Sequence, residues 1–207
     1  MAEALKTKRT LDFQYPRNPK GNNLRFYEAM REQFKTGDLL FFSGEHWLSR
    51  LIRWRSKSAW SHVGLVIRIE EIDRVFLLES ILETGVRMVP LSFVMKNYGG
   101  DYEPYKGRVA WARHFIMAND LVRQKGIKEF CLDNLTKQYD RDEYFRILWR
   151  SLTGRKKLFE DDKFTCAEYI YEAYKYAGLK LPREKGVFIS PGAFWRQDGV
   201  ELKAILI

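Results

Sequence analysis

Two neighbouring runs decide how this chain folds: Trp60-Ser61-His62-Val63-Gly64-Leu65-Val66-Ile67, and Arg74-Val75-Phe76-Leu77-Leu78-Glu79-Ser80 after the turn Glu71-Ile72-Asp73. Both are short, apolar and rich in β-branched and aromatic residues, as strands are. The first extends from Ser61 to Glu70. The short turn makes the two strands antiparallel neighbours. Alternation puts His62 on the face of Gly64 and Val66, and Glu79 on the face of Val75 and Leu77. A carboxylate inside so apolar a run needs a partner, and His62 is within reach. A lone histidine on a strand is more often structural, so the pair carries the reading.

Outward from this hairpin the strand pattern continues. Lys35-Thr36-Gly37-Asp38 is a turn, and Leu39-Leu40-Phe41-Phe42 a short buried strand bounded by Ser43-Gly44. Val86 to Val89 follows Gly85 and stops at Pro90. Gly107 to His114 is a further strand, and the tail Val200 to Ile207 a last one. Helical spacing marks residues 23–35 and 46–55. Residues 115–153 read as two or three helices, the best being Asp140 to Leu152, closed by Gly154. Residues 155–163 form a charged loop, and Cys166 to Tyr176 an amphipathic helix closed by Gly178. The expected class is α+β: a small antiparallel sheet or half-barrel, with helices gathered to one side. Residues 1–22, basic and turn-prone, are expected to form an extended arm. Residues 23–207 would form one domain, with a helical insertion at about 115–160.

Composition narrows the function. The chain has 207 residues, 45% hydrophobic and 15% aromatic, which excludes disorder as a description of the whole. No apolar run approaches the roughly 18 residues needed to cross a bilayer. The first residues carry no secretory signal pattern, so a cytoplasmic setting is expected. Two cysteines and three histidines give neither a disulfide framework nor a zinc cluster, and no cofactor or metal is expected. A net charge of +9 points to anionic partners. Zinc-finger spacing and RNP-type strands are missing, so nucleic acid is not the expected partner. Arg50, Arg53, Arg55 and Lys57 interleave with Trp47, Leu51, Ile52 and Trp54. Such a helix can lie on an anionic membrane, which makes 46–57 a candidate lipid contact. A surface helix with one packed face is the commoner reading of that pattern.

Thr165-Cys166-Ala167-Glu168 is a capping box, which places Cys166 at the first helical position. Free N–H groups and the positive dipole end there favour a thiolate and can hold an oxyanion. Buried cysteines are common, so this box alone is a weak signal. If the Cys166 helix packs on the hairpin, Cys166, His62 and Glu79 form the constellation of an activated thiol. Their order along the chain is His, Glu, Cys, whereas papain places its cysteine first.

Further segments carry a family likeness. Gly37-Asp38-Leu39-Leu40-Phe41-Phe42-Ser43-Gly44, Trp60-Ser61-His62-Val63-Gly64-Leu65-Val66 and Leu78-Glu79-Ser80 come first. Gly85-Val86 with Pro90-Leu91, then Tyr105-Lys106-Gly107-Arg108-Val109, follow. Phe164-Thr165-Cys166-Ala167-Glu168 and Ser190-Pro191-Gly192-Ala193-Phe194 complete the set. In this order, over about 36–197, the chain resembles the circularly permuted papain-like group of the NlpC/P60 superfamily. The likeness is greatest to the YiiX/YebB-type cysteine hydrolases, which have poxvirus relatives. The resemblance implies a permuted papain-like fold with Cys166 as nucleophile, His62 as base and Glu79 as the orienting residue. It departs where the family often has serine after the cysteine and this chain has Ala167. Thr165-Cys166-Ala167-Glu168-Tyr169 also differs from the Asn-Cys-Glu-His-Phe of lecithin:retinol acyltransferase-type proteins, which argues against an acyltransferase.

The expected activity is hydrolysis of an amide, in a peptide or an acyl-amide, through Cys166, His62 and Glu79. A thioesterase or lipid acyl hydrolase at membranes, and a non-catalytic binding protein on the same fold, are the alternatives. Trp60, Tyr105 and Arg108 are candidates for the substrate cleft, with a peptide, acyl-amide or lipid-like molecule as the partner. Glu83 is expected in a solvated turn, Cys131 in packing, His46 at the surface, and Asp38 bonding turn N–H groups. His114 has no evident carboxylate partner.

Overall fold

The computed structural model describes residues 22–98, 102–138, 165–181 and 189–207. The expected arm, the helix at Asp140 to Leu152 and the loop at 155–163 lie outside the described residues. The elements in chain order are α1 (Asn23–Met30), a 3-10 turn (Arg31–Gln33), β1 (Leu39–Gly44), α2 (Trp47–Ser56), β2 (His62–Ile69), β3 (Arg74–Ile81) and β4 (Gly85–Pro90). Then come α3 (Leu91–Lys96), β5 (Gly107–His114), α4 (Phe115–Ala118), α5 (Leu121–Asp133), α6 (Cys166–Tyr176), α7 (Pro191–Trp195) and β6 (Val200–Ile205).

The six strands form one open sheet in the order β4-β3-β2-β1-β5-β6. All its pairings are antiparallel. β1 is buried at every position, and its alternation feeds two cores. Leu39 and Phe41 point to one layer with Val63, Leu65 and Ile67, beneath Ile127 of α5 and Ala167, Ile170, Ala173 and Tyr174 of α6. Leu40 and Phe42 point to the other with Val66, Val75, Leu77 and Trp111, beneath Tyr27 and Met30 of α1 and Leu91 and Val94 of α3. Helices therefore cover both faces, not one. A strand apolar at consecutive positions leaves neither face free to meet water, which is the physical reason.

A buried polar knot ties β1 to β5. The Asp38 carboxylate accepts from Trp111 Nε1 at 2.8 Å, from Arg113 Nε at 2.7 Å and from the Lys35 backbone N–H at 2.9 Å. Removing one member strands the other's charge in the interior. Arg113→Ala is expected to cost about 3–5 kcal/mol. The urea midpoint would register it, and an unchanged midpoint would mean that solvent reaches Asp38 freely. One residue away, Tyr174 Oη of α6 donates to the Gly37 carbonyl at 2.7 Å. This bond pins the far end of α6 to the start of β1.

Candidate active site

α6 is amphipathic, and Ala167, Ile170, Ala173 and Tyr174 form its buried side. The two alanines let the helix axis come close to β2 and β3. At its start Thr165 Oγ1 accepts from the Glu168 N–H, while the Glu168 carboxylate accepts from the Thr165 N–H. The capping box thus forms as the sequence implies. It uses the N–H of the third helical residue and leaves those of Cys166 and Ala167 without intrahelical acceptors. Cys166 is 8% exposed at that tip.

His62 opens β2 at the end of the sheet, which lets the α6 tip reach its ring. Its Nε2 hydrogen-bonds with Glu79, at 2.8 Å from Oε2, and the Cys166 side chain is near enough to act on the charge of the ring. With Nε2 engaged by the carboxylate, Nδ1 is the nitrogen that serves the thiol. In the β2–β3 register Leu65 faces Leu78. Carried one residue further, that register sets Glu79 across from Gly64, and His62 becomes its diagonal neighbour on the same face. Gly64 keeps this space open: a Cβ there would lie 2.3 Å from Leu77 Cδ1 and 3.1 Å from the Leu78 carbonyl oxygen.

Glu79 is fully buried and fully bonded. Its Oε1 accepts from Arg87 Nε at 2.9 Å and Nη2 at 2.6 Å, and Tyr98 Oη reaches both oxygens at 3.2 and 3.1 Å. Arg87 sits directly opposite Glu79 in the β3–β4 ladder and also lies over the Tyr98 ring. Neither residue appears in the sequence reading. Arg87 was legible there: a tight hairpin after Ile81 makes it the cross-strand partner of Glu79. Tyr98 carried no such signal, because it arrives from beyond α3.

The charges support one another. Burial opposes a charge on His62, but the Cys166 sulfur and the Glu79 carboxylate outweigh it and push the imidazole up to about 10. Burial likewise opposes a charge on Glu79, yet His62 and Arg87 hold it below the usual carboxylate range. Tyr98 is pushed up, by burial and then by Glu79, so it stays a donor. The His62 contribution to stability is therefore complete below its ordinary value of 6.5 and fades as pH rises through about 10. That of Glu79 is complete above 4.5 and fades as pH falls through its lowered value.

An aromatic wall backs Cys166, His62 and Glu79. Phe42 stands 5.3 Å from the His62 ring and 5.1 Å from Tyr105, and Tyr105 stands 5.0 Å from Tyr98. Tyr105 thus lies beside the site. Trp60 is turned into the core against Phe41 and Trp195, and Arg108 is exposed on β5 across from Ser43. Glu83 is exposed in the β3–β4 turn, His46 is exposed before α2, and Cys131 is buried in α5. His114 is buried against Phe115 and Tyr174, away from His62. Among the described residues no group of three or more His, Cys, Asp or Glu side chains could hold a metal ion.

Residues 33–188 match the model of a family described as "Permuted papain-like amidase enzyme, YaeF/YiiX, C92 family". The fold is similar to that in the crystal structure of metalloprotein yiiX from Escherichia coli O157:H7. The TM-score is 0.60 at 19% sequence identity, over 82% of this chain and 96% of that one. At that identity the likeness concerns the fold alone. No curated protein matches the chain in sequence.

Proposed function

The chain belongs to the permuted papain-like amidase family YaeF/YiiX, C92, and from that premise we propose that it cleaves an amide bond with Cys166, His62 and Glu79 as its catalytic triad. The observation that carries this reading is the bond of 2.8 Å between Glu79 Oε2 and His62 Nε2, with Cys166 at a helix N-terminus beside the same ring.

The roles follow from the geometry. Cys166 Sγ, as thiolate, attacks the carbonyl carbon, and the carbonyl electron pair moves to oxygen. The Cys166 backbone N–H, with no intrahelical acceptor at the helix tip, stabilises that oxyanion. His62 Nδ1–H gives its proton to the leaving nitrogen as the C–N bond breaks. An S-acyl Cys166 remains. Water then attacks with His62 taking its proton, and the acid leaves as the thiolate returns. Glu79 keeps Nε2 protonated and so fixes which nitrogen faces the sulfur; Arg87 and Tyr98 hold Glu79.

A library of N-acyl amino acids and short peptides, read by mass spectrometry for free acid and amine, tests the reading. Turnover by the wild type and none by Cys166→Ala is expected. Equal turnover by both, or cleavage of thioesters with every amide left intact, would overturn it. The alkaline limb of the pH–rate profile should report the acid, His62. Its imidazolium persists up to about pH 10, so activity should hold past the 6.5 of an ordinary histidine and fall only near 10. A limb near 7 would show His62 uncoupled from both Cys166 and Glu79.

A further inference from the structure

α2 presents an unusual outward row. Trp47 is 61% exposed and Trp54 74% exposed. Arg50 and the C-cap residue Lys57 are exposed as well. At 100° per residue Trp47, Arg50 and Trp54 fall within an arc of about 60°, and Lys57 continues the line past the last turn. The opposite side is fastened to the protein. Arg53 Nη1 donates to Ser43 Oγ at 2.6 Å, while Ile52 and Ser56 are partly buried. The exposed row is therefore a fixed ridge. The nearest exposed acid along the chain is Glu45, before the helix begins.

This ridge stands at the rim of the triad. A Cβ on Gly44 would lie 2.7 Å from Ser49 Oγ of α2 and 2.8 Å from Tyr105 Oη. Tyr105 belongs to the aromatic wall beside His62, and Phe42, two residues before Gly44, pairs with His62 across the sheet.

The geometry points to α2 as an interfacial helix that seats the catalytic face on an anionic lipid surface. Tryptophan prefers the headgroup level, where its ring is buried and its N–H stays solvated. Arg50 and Lys57 between and beside the rings meet anionic headgroups, and the net charge of +9 draws the whole chain to them. A helix ridge is convex, and a bilayer interface yields to a convex ridge. A single nucleic-acid strand would need a groove for its backbone, and two rings about 10 Å apart along a rod offer none. The inference goes beyond the proposed reaction and does not depend on it.

Co-sedimentation of the full chain with vesicles of phosphatidylglycerol and phosphatidylcholine, against pure phosphatidylcholine, is the test. Binding to the mixed vesicles should exceed that to the neutral ones by at least about tenfold and weaken at high salt. Trp47→Ala/Trp54→Ala, and separately Arg50→Glu/Lys57→Glu, should each weaken it by about tenfold or more. Unchanged alkylation of Cys166 and an unchanged thermal midpoint would show these variants folded with the site intact. Undiminished vesicle binding by both variants would overturn the inference. So would equal binding to neutral vesicles, or tighter binding to a single-stranded oligonucleotide that displaces the lipid.

Discussion

Iodoacetamide at pH 7 will alkylate Cys166 and leave Cys131 untouched, and His62→Ala will slow Cys166 by about tenfold. The two thiols are in opposite surroundings. Cys131 is fully buried in α5. Burial pushes its thiol up to about 12, even with Tyr169 beside it. At pH 7 only about one molecule in 10⁵ would then carry a thiolate there. Cys166 is 8% exposed at a helix start, beside the His62 imidazole. An ordinary thiol near 8.5 is a few per cent thiolate at pH 7, so losing the imidazolium leaves little more than that. The helix tip remains in His62→Ala and keeps the loss near tenfold rather than larger. Peptide mass spectrometry reads both cysteines in one sample. Equal labelling of the two, or a Cys166 rate indifferent to His62, would sink the thiolate–imidazolium pair. Because the measurement needs no substrate, it separates a failed triad from an untried amide.

The sheet was legible because short apolar runs bounded by turn residues are a local signal. β1 is buried at every position between its turn and Gly44, and β5 runs from Gly107 to His114 as the pattern implies. The helix that carries Cys166 was equally plain, since a capping box states its own first residue. What escaped was non-local. Pro90 reads as the end of a strand, and it is that, but it is also the N-cap of α3. α3 covers the second face of the sheet and delivers Tyr98 to a carboxylate 19 residues earlier in the chain. No periodicity announces such a contact. The placement of helices on one side failed for a related reason. Leu40 and Phe42 are as apolar as Leu39 and Phe41, and only the strand's position inside the sheet shows that each pair needs its own cover. Trp60 shows the limit of adjacency: two residues from His62, it nevertheless turns to the opposite layer and packs against Phe41.

Glu79→Gln is expected to lower amide turnover by on the order of 10³ while leaving the fold in place. The argument rests on Arg87. Its Nε and Nη2 both donate to the oxygen on their side of the Glu79 carboxylate. In glutamine only one atom of the pair can accept, and the guanidinium will claim it. The amide NH2 is then left facing His62. It donates to Nε2, which must give up its proton, and the ring carries its proton on Nδ1 instead. The ring beside Cys166 is then neutral over a wider pH range, and it no longer supplies the positive charge that favours the thiolate. The imidazolium also loses its carboxylate, and its alkaline limb should fall below about 10, with the Cys166 sulfur still holding it up. Alkylation of Cys166 should slow in step, by about tenfold. Imidazole 15N chemical shifts would show the protonation directly, with both nitrogens protonated in the wild type below about pH 10 and Nδ1 alone in the neutral ring of the labelled variant. A purely structural role for Glu79 would move stability and leave both the shifts and the pH limb where they were. Turnover within about twofold of wild type, with Nε2 still protonated, would mean that Tyr98 or solvent orients the ring and that Glu79 is not the third member of the triad.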